Sequence, residues 1–231
     1  MLLEKEKIYR NELKYVCTEG ELVQIRARIR PFCKSDPHVS GEGIYGIRSI
    51  YFDDRDNSCF FENENGTDPR EKFRIRIYNG DSSIIFLECK RKEKNMTHKE
   101  QTLITKDKCD NILQGNFSPD EGNDKLLSKF YLQYKERNLR PKVIVSYERE
   151  PYVYAAGNVR ITLDRNIGGS IKIEDFYKER LPVRPVMPPG QHILEVKYDR
   201  FLPDFLYQMM SLNNLRQTAY SKYYYCRRFT V

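Results

Sequence analysis

The sequence is short of the residues that build the commonest metal and catalytic sites. Its three histidines, His38, His98 and His192, are scattered, so they support neither a histidine-based triad nor a histidine-ligated metal. The six cysteines contain no CxxC pair and no histidine at zinc spacing. We expect these cysteines to be reduced and mostly packed in the interior of a cytoplasmic protein.

Long apolar segments and glycine-rich phosphate loops are absent as well. The N-terminus has no apolar core typical of a signal peptide, and no apolar run approaches the ~20 residues that span a bilayer. Neither a GxxxxGK loop followed by Ser or Thr nor a GxGxxG fingerprint occurs. The sequence therefore predicts no membrane segment, and any phosphate must be held by side chains rather than by the N-terminus of a helix.

The composition is that of a moderately basic globular protein. Of the 231 residues, 39% are hydrophobic and 32% are charged, and the formal net charge is +7. No linker rich in proline, glycine or serine divides the chain, so we expect a single domain over residues 1–231. The charge favours a polyanionic partner, whether nucleic acid, nucleotides, inorganic phosphates or an anionic membrane, although a solvated basic surface explains it equally well.

Segments with strand character outnumber helical ones. The strand segments are short, rich in β-branched or aromatic residues, and bounded by turn residues. They are 7–17, 44–53, 72–79, 83–91, 99–105, 142–152, 158–164 and 192–198. Helices are predicted at 18–30, 124–138 and 202–212, whereas 218–229 is ambiguous between helix and strand.

Charged and apolar residues alternate along six of these strands, so each has one charged face. The charged faces carry Arg10, Glu12 and Lys14; Arg74 and Arg76; Glu88, Lys90 and Lys92; Tyr147 and Arg149; Arg160, Thr162 and Asp164; and Glu195 and Lys197. An ordinary half-buried sheet with its charged face to solvent would explain any one strand. Recurrence of mainly cationic faces with single glutamates favours an α+β fold: a closed antiparallel β-barrel of about eight strands, charged inside, with flanking helices outside.

A cationic interior has a chemical purpose, because burying many like charges without partners is very costly. A chain of phosphates supplies those partners, with bidentate contacts from Arg and point charges from Lys. The isolated glutamates would hold Mg²⁺ or Mn²⁺, which bridge phosphate oxygens.

The pieces that carry these faces also resemble a known family. In order they are RNELKY at 10–15, SIYFD at 49–53, FRIRIY at 73–78, LECK at 87–90, SYER at 146–149, VRITLD at 159–164, LEVK at 194–197 and SKY at 221–223. Over nearly the whole chain, they resemble the catalytic domain of the vacuolar transporter chaperone (VTC) family of polyphosphate polymerases. That domain is a triphosphate tunnel metalloenzyme, related to thiamine triphosphatases, class IV adenylate cyclases and fungal RNA triphosphatases, so the resemblance implies the triphosphate tunnel fold.

The resemblance also implies roles for individual residues. The catalytic, phosphate-binding set is Lys14, Arg74, Arg76, Lys90, Arg149, Lys197 and Lys222. The other expected substrate contacts are Arg10, Tyr147, Arg160, Ser221 and Lys92. Glu195 is the implied metal carboxylate for Mn²⁺ or Mg²⁺, with Glu12 and Glu88 as further candidates.

Two departures from the family pattern qualify these implications. Tunnel enzymes often open with Glu-x-Glu-x-Lys, whereas the first position here is Arg10, which fits the VTC branch better than a thiamine triphosphatase or a cyclase. Eukaryotic polymerases of this kind also carry an SPX regulatory domain and a membrane module, and this chain resembles the stand-alone bacterial versions. An unidentified membrane or regulatory partner therefore stays open.

The function implied is transfer of the terminal phosphoryl group of ATP to a growing polyphosphate chain, with ATP and inorganic polyphosphate or pyrophosphate as partners. A hydrolase of the same fold, acting on tripolyphosphate or nucleoside triphosphate, differs only in using water as the attacking group. A third hypothesis is a non-catalytic module that binds polyphosphate or nucleic acid, for which Tyr223, Tyr224 and Tyr225 could stack bases. Carboxylates among the basic residues disfavour nucleic acid, which they repel unless a cation intervenes.

Overall fold

The computed structural model describes residues 9–36, 43–118, 124–211 and 215–230. Within these ranges the strands are β1 (Asn11–Thr18), β2 (Lys34–Ser35), β3 (Tyr45–Asp53), β4 (Arg70–Tyr78), β5 (Asp81–Glu93), β6 (Met96–Ile104), β7 (Arg140–Tyr154), β8 (Val159–Ser170), β9 (Arg184–Pro185) and β10 (Gln191–Tyr198). The α-helices are α1 (Glu19–Ile29), α2 (Ser58–Glu64), α3 (Lys106–Gln114), α4 (Lys125–Glu136), α5 (Asp204–Met210) and α6 (Lys222–Arg227). Residues 7 and 8 of the first predicted strand, His38, and residue 212 at the end of a predicted helix lie outside the described residues.

All ten strands belong to one antiparallel sheet that curls into a barrel. Its main path runs β1-β10-β8-β7-β3-β4-β5-β6, and the short strands β2 and β9 pair with β7 and β8. The two ends of the path meet where Arg10 and Thr97 exchange backbone hydrogen bonds of 2.8 and 2.9 Å. The predicted α+β fold, an antiparallel barrel of eight main strands with flanking helices, is confirmed.

The apolar faces of the strands point out of the barrel and are covered by helices. On one side Phe73 of β4 and Phe52 of β3 each lie 5.1 Å from the ring of Phe130 in α4. On another side Leu22 of α1 and Leu194 of β10 are fully buried in one apolar cluster. Because side chains alternate along a strand, this outward packing turns the charged faces of the same strands inward.

Two helices are placed by contacts that the sequence encodes locally. Helix α1 begins at a capping box, in which Thr18 and Glu21 each accept a hydrogen bond from the backbone N–H of the other. The ambiguous segment 218–229 contains helix α6, which Ser221 caps by accepting from the N–H of Tyr224 at 3.3 Å. Helix α6 lies close to the barrel because Gly169 has no side chain; a Cβ there would lie 2.8 Å from the Cβ of Cys226. The start of this helix is therefore fixed beside the barrel interior.

In the part of the chain that the structure describes, no helix is long and apolar enough to cross a membrane.

Candidate functional site

The barrel surrounds a cavity of about 1630 Å³ whose wall is strongly cationic. Fourteen Lys and Arg side chains line it, against four Asp and Glu side chains. Such an excess of one sign in a partly enclosed space concentrates the field and favours an anionic occupant.

The structure brings almost the whole predicted site together in this cavity. The lining residues include Lys14, Arg74, Arg76, Lys90, Arg149, Lys197, Lys222, Arg10, Tyr147, Arg160, Ser221, Lys92, Glu195 and Glu12. Glu88 is the exception, because it is completely buried and lies behind the wall. The predicted convergence of the basic faces on one interior is therefore observed.

Arg74 and Arg76, neighbours on the inward face of β4, are held from behind by Glu88. Arg74 donates from Nε to Glu88 Oε2 at 2.6 Å and from Nη1 to the hydroxyl of Tyr51 at 2.7 Å. Arg76 donates from Nε to Ser49 Oγ at 3.0 Å, and its Nη1 lies 3.7 Å from Glu88 Oε2. Burial opposes ionisation of Glu88, but the two arginines outweigh it and hold the pKa of this carboxyl below its ordinary value. Both guanidinium groups are thus fixed in orientation before any ligand binds.

Glu195 is the centre of a second group of charges, on β10. Its carboxylate lies 2.7 Å from Nζ of Lys197, 3.8 Å from Nζ of Lys14, 3.7 Å from Arg149 and 4.0 Å from Lys222. Burial opposes its ionisation, yet these four cations lower the pKa of Glu195 well below its ordinary value. Glu195 is therefore ionised and points into the cavity.

Asp164 is a counter-ion whose role the sequence did not reveal. Arg149 donates to it from Nε at 2.6 Å and from Nη2 at 2.7 Å, and Nζ of Lys222 lies 2.6 Å away. This completely buried carboxylate thereby holds the side chains of β7 and α6 at one point of the wall. The alternation along its strand placed Asp164 on the charged face with Arg160. Its partner Arg149 lies on another strand and could not be identified before the strand register was known.

Glu12 of β1 is a further carboxylate that lines the cavity, where it contacts two lysines. Nζ of Lys90 lies 2.6 Å from its Oε2, and Nζ of Lys14 lies 3.1 Å from its Oε1. Burial opposes its ionisation, but the two lysines lower its pKa. Burial also lowers the pKa of Lys90 to about 7 in spite of Glu12, so this amine is poised to take up a proton when another anion arrives.

The interior is thus less repulsive than the sequence suggests. The sequence predicts cations that only a bound polyanion would neutralise. In the structure, most cations at the centre of the cavity already contact a carboxylate, from Glu12, Glu88, Asp164 or Glu195. These resident carboxylates give the buried cations partners that they would otherwise lack.

Sequence reasoning missed several lining residues, among them Arg70, Lys72, Lys99, Lys125 and Tyr51. Lys72 occupies the same face of β4 as Arg74 and Arg76, so the alternation along the strand could have placed it in the cavity. Lys99 of β6 contacts Glu88 at 3.2 Å, and burial lowers its pKa to about 8. Tyr51 of β3 orients Arg74 through its hydroxyl.

The donors on the wall fit a divalent cation that arrives with phosphates. Among the described residues no group of three or more His, Cys, Asp or Glu side chains could enclose a metal. Glu12 and Glu195 nevertheless line the same cavity, and their carboxylate oxygens are the kind of donor that Mg²⁺ and Mn²⁺ prefer. Mg²⁺ and similar ions commonly bind through one or two carboxylates and complete their shell with phosphate oxygens and water. Glu12 and Glu195 therefore fit the part of such a site that the protein supplies.

A protein-family model described as the VTC domain matches residues 9–231. A comparison with curated protein sequences found no match.

Solved structures share the barrel. A candidate adenylyl cyclase from Hippeastrum, described as having a dominant triphosphatase activity, is 12% identical, with a TM-score of 0.54 over 96% of this chain and 96% of its own. A candidate adenylate cyclase from Bacillus halodurans is 13% identical, with a TM-score of 0.50 over 89% of this chain and 87% of its own. At such identities the likeness concerns the fold, and it confirms the predicted triphosphate tunnel architecture.

Proposed function

The chain belongs to the VTC domain family, and from that premise we propose that it is a polyphosphate polymerase that uses ATP. It transfers the terminal phosphoryl group of ATP to the end of a growing inorganic polyphosphate chain and releases ADP. The observation that carries this proposal is the cavity wall, on which fourteen cations and four carboxylates face one interior.

In this proposal the first task of the wall is to position phosphates. Arg74 and Arg76 are pre-oriented by Glu88, Tyr51 and Ser49, so little side-chain freedom is lost when phosphate oxygens bind them. These two guanidinium groups therefore serve as the fixed point against which the transferring phosphoryl group is aligned.

The second task is to stabilise charge during transfer. Arg149, Lys222, Lys14 and Lys197 surround Glu195 and present their charge from β1, β7, β10 and α6. Phosphoryl transfer depends mainly on positioning and electrostatic stabilisation, so a wall of this kind suffices without a covalent intermediate.

No strong general base is needed, because the attacking group is itself a phosphate oxygen that is already ionised. The bond from phosphorus to the oxygen bridging to ADP breaks, and a bond to the terminal oxygen of the chain forms. This suits an interior in which His98 is the one lining histidine among the described residues.

Glu195 and Glu12 are the residues that would hold Mn²⁺ or Mg²⁺. When bound there, such an ion would neutralise part of the phosphate charge. The lysines that now contact these carboxylates would then be released toward the phosphates.

The proposal is tested by incubating purified protein with ATP and Mn²⁺ or Mg²⁺, and by separating polymer from free phosphate on a gel. We expect polyphosphate that an exopolyphosphatase degrades, with one ADP for each phosphate incorporated. Release of free phosphate without polymer would overturn the polymerase proposal in favour of the hydrolase.

Two variants make this test specific. Arg76→Ala should lower the rate by roughly a hundredfold, the scale for losing one preorganised contact to a transition state. Arg55→Ala removes an exposed cation outside the cavity and should leave the rate unchanged. Equal rates in the two variants would exclude the cavity as the site of the reaction.

A further inference from the structure

Positive charge is compensated unevenly around the cavity. In the described part of the chain, four lining cations have no carboxylate oxygen within 4.0 Å: Arg70, Lys72, Lys92 and Lys125. Three of these four lie together at one end of the β4–β5 pair. We call Arg70, Lys72 and Lys92 the end cluster.

The strand register forces the cations of this end of the sheet against one another. Arg70 of β4 is directly opposite Lys92 of β5, and Lys72 is directly opposite Lys90. Like charges in directly opposed positions destabilise a sheet. Of these four residues Lys90 alone has a carboxylate partner, Glu12. Within the described residues, the end cluster therefore has no carboxylate to offset its charge.

The partners that the end cluster does have are neutral. Nζ of Lys72 donates to the amide oxygen of Asn63 at 2.9 Å and lies 4.8 Å from the ring centroid of Tyr223. Arg70 donates from Nη1 to the backbone carbonyl of Thr67 at 2.6 Å. Asn63 comes from α2 and Tyr223 from α6, so helices on two sides hold the amine of Lys72 in place.

Electrostatics agree with this geometry. Burial lowers the pKa of Lys72 to about 7, and the nearby Arg70 and Lys14 act in the same direction. Burial, Arg70 and Lys14 also lower the pKa of Lys92. Cys59 and Asp53 act on Lys72 in the opposite direction without overcoming burial.

The end cluster continues the phosphate-binding face beyond the centre of the site. Arg70, Lys72, Arg74 and Arg76 occupy alternate positions of β4, so they form one inward row. The six residue steps from Arg70 to Arg76 span about 20 Å of extended strand. The cavity of about 1630 Å³ also exceeds the roughly 300–1,000 Å³ of pockets that hold single small ligands.

We propose that Arg70, Lys72 and Lys92 form a subsite for the phosphates of long polyphosphate chains, beyond the stretch that a tripolyphosphate occupies at Arg74 and Arg76. The subsite presupposes the phosphate-chain function proposed above and adds to it a preference for length. Each bound phosphate supplies the negative charge that the end cluster lacks, and the like-charge repulsion across β4 and β5 is relieved.

An inorganic chain fits this subsite better than a nucleic acid does. Binding of single strands gains much of its energy from stacking bases on aromatic faces. Tyr223, whose ring lies beneath Lys72, is 2% exposed. The subsite therefore offers charge without a stacking surface.

The test compares the affinity of the protein for tripolyphosphate with its affinity for size-fractionated long-chain polyphosphate, by calorimetry without ATP. In the variant Arg70→Gln, Lys72→Gln, Lys92→Gln we expect long-chain affinity to fall about tenfold or more, as three charge contacts are lost. Tripolyphosphate affinity should change less than about twofold, since the variant leaves its proposed contacts in place. The slope of log affinity against log salt should fall by about 2, because each neutralised cation contributes about 0.7.

Two further variants are the controls. The variant Arg28→Gln, Arg55→Gln, Lys135→Gln removes the same charge from exposed positions outside the cavity and should leave both affinities unchanged. The variant Arg70→Lys, Lys72→Arg, Lys92→Arg keeps the charge and should keep the preference for long chains.

Each contrary outcome has its own meaning. Equal loss of both ligands, or loss of neither, in the triple Gln variant would overturn the separate subsite, while polymer synthesis by the wild type would still support the proposed function. Wild-type protein that binds neither ligand would overturn both proposals. Single-stranded RNA that binds as tightly as long-chain polyphosphate, and loses affinity equally in the triple Gln variant, would overturn the assignment to polyphosphate.

Discussion

Replacing Glu88 by Gln tests whether resident carboxylates hold the cationic interior together. Glu88 is completely buried, with Arg74 at 2.5 Å, Lys99 at 3.2 Å and Arg76 at 3.7 Å. Removing one partner of a buried ion pair costs about 3–5 kcal/mol, because it leaves the remaining charge uncompensated. Lys99 can lose its proton, since burial lowers its pKa to about 8. We therefore expect a destabilisation at the lower end of this range, about 3 kcal/mol. For a chain of this length, that corresponds to a fall of about 6–12 °C in Tm.

The assay is thermal unfolding of wild type and Glu88→Gln at pH 7, with and without tripolyphosphate. The anion should raise the Tm of the variant more than that of the wild type, because it supplies the missing negative charge. Asp110→Asn is the control: it breaks an exposed ion pair with Lys106 and should change stability by less than about 0.5 kcal/mol.

The pH dependence has a definite sign. The pKa of Glu88 is lowered on folding from its ordinary value of 4.5. Its contribution is therefore fully present above pH 4.5 and is lost as the pH falls through the lowered pKa, so wild type and variant should converge in acid. A variant that melts within the range of the Asp110→Asn control at pH 7, or a gap that widens in acid, would refute this account.

Three further outcomes are expected. Glu195→Gln should weaken Mn²⁺ binding, followed by electron paramagnetic resonance, and abolish metal-dependent turnover; unchanged binding would leave Glu12 as the better candidate ligand. Lys72→Met should raise the Tm at pH 7, and this gain should shrink toward pH 10.5. Burial lowers the pKa of Lys72 from 10.5 in the unfolded chain to about 7 in the folded one. Between these two values the unfolded wild type binds more protons, so protonation of Lys72 favours unfolding and the effect is lost as the pH rises. An equal gain in Tm at both pH values would contradict this explanation of the effect of Lys72. Gly169→Ala should cost about 1–3 kcal/mol in urea unfolding by pressing on Cys226, whereas Gly20→Ala, with no atom within 4 Å, should not; equal effects would exclude that close approach as the cause.

The inward faces could be predicted because strand periodicity is local. Arg74 and Arg76 alternate with Phe73, Ile75 and Ile77, and the structure turns the first pair to the cavity and buries the other three outside. No knowledge of neighbouring strands is needed for that division. The same rule extends to Arg70, which lay beyond the predicted start of the strand at residue 72.

Counter-ions could not be predicted in the same way, because they depend on register. Arg149 meets Asp164 only because β7 and β8 pair these residues directly, after a register shift between Ser146 and Glu148. A shift of one residue would turn Asp164 to the other face. Nothing near Arg149 in sequence specifies that shift.

Helix α2 was missed for a related reason. Its N-cap residue, Asn57, is of a type that often caps helices, but it has a left-handed backbone with φ of 56° and its side chain makes no capping bond. The carboxylate of Asp53, at the end of β3, accepts instead from the backbone N–H groups of Cys59 and Phe60 at 2.9 and 3.1 Å. Helix α3 is different, because Thr105 caps it by accepting from the N–H of Lys108, and that signal was overlooked.

The meeting of β1 and β6 makes one line of the barrel a seam. Neighbouring strands elsewhere along the main path share at least five registered residue pairs, whereas in the described residues the seam has one, Arg10 with Thr97. A side-chain hydrogen bond also crosses the seam: Nζ of Lys90 on β5 donates to Oε2 of Glu12 on β1 at 2.6 Å. Phosphate that competes for Lys90, or a metal ion that competes for Glu12, would break this contact across the seam. On the proposed function, binding of phosphate in the cavity and weakening of the seam are therefore coupled.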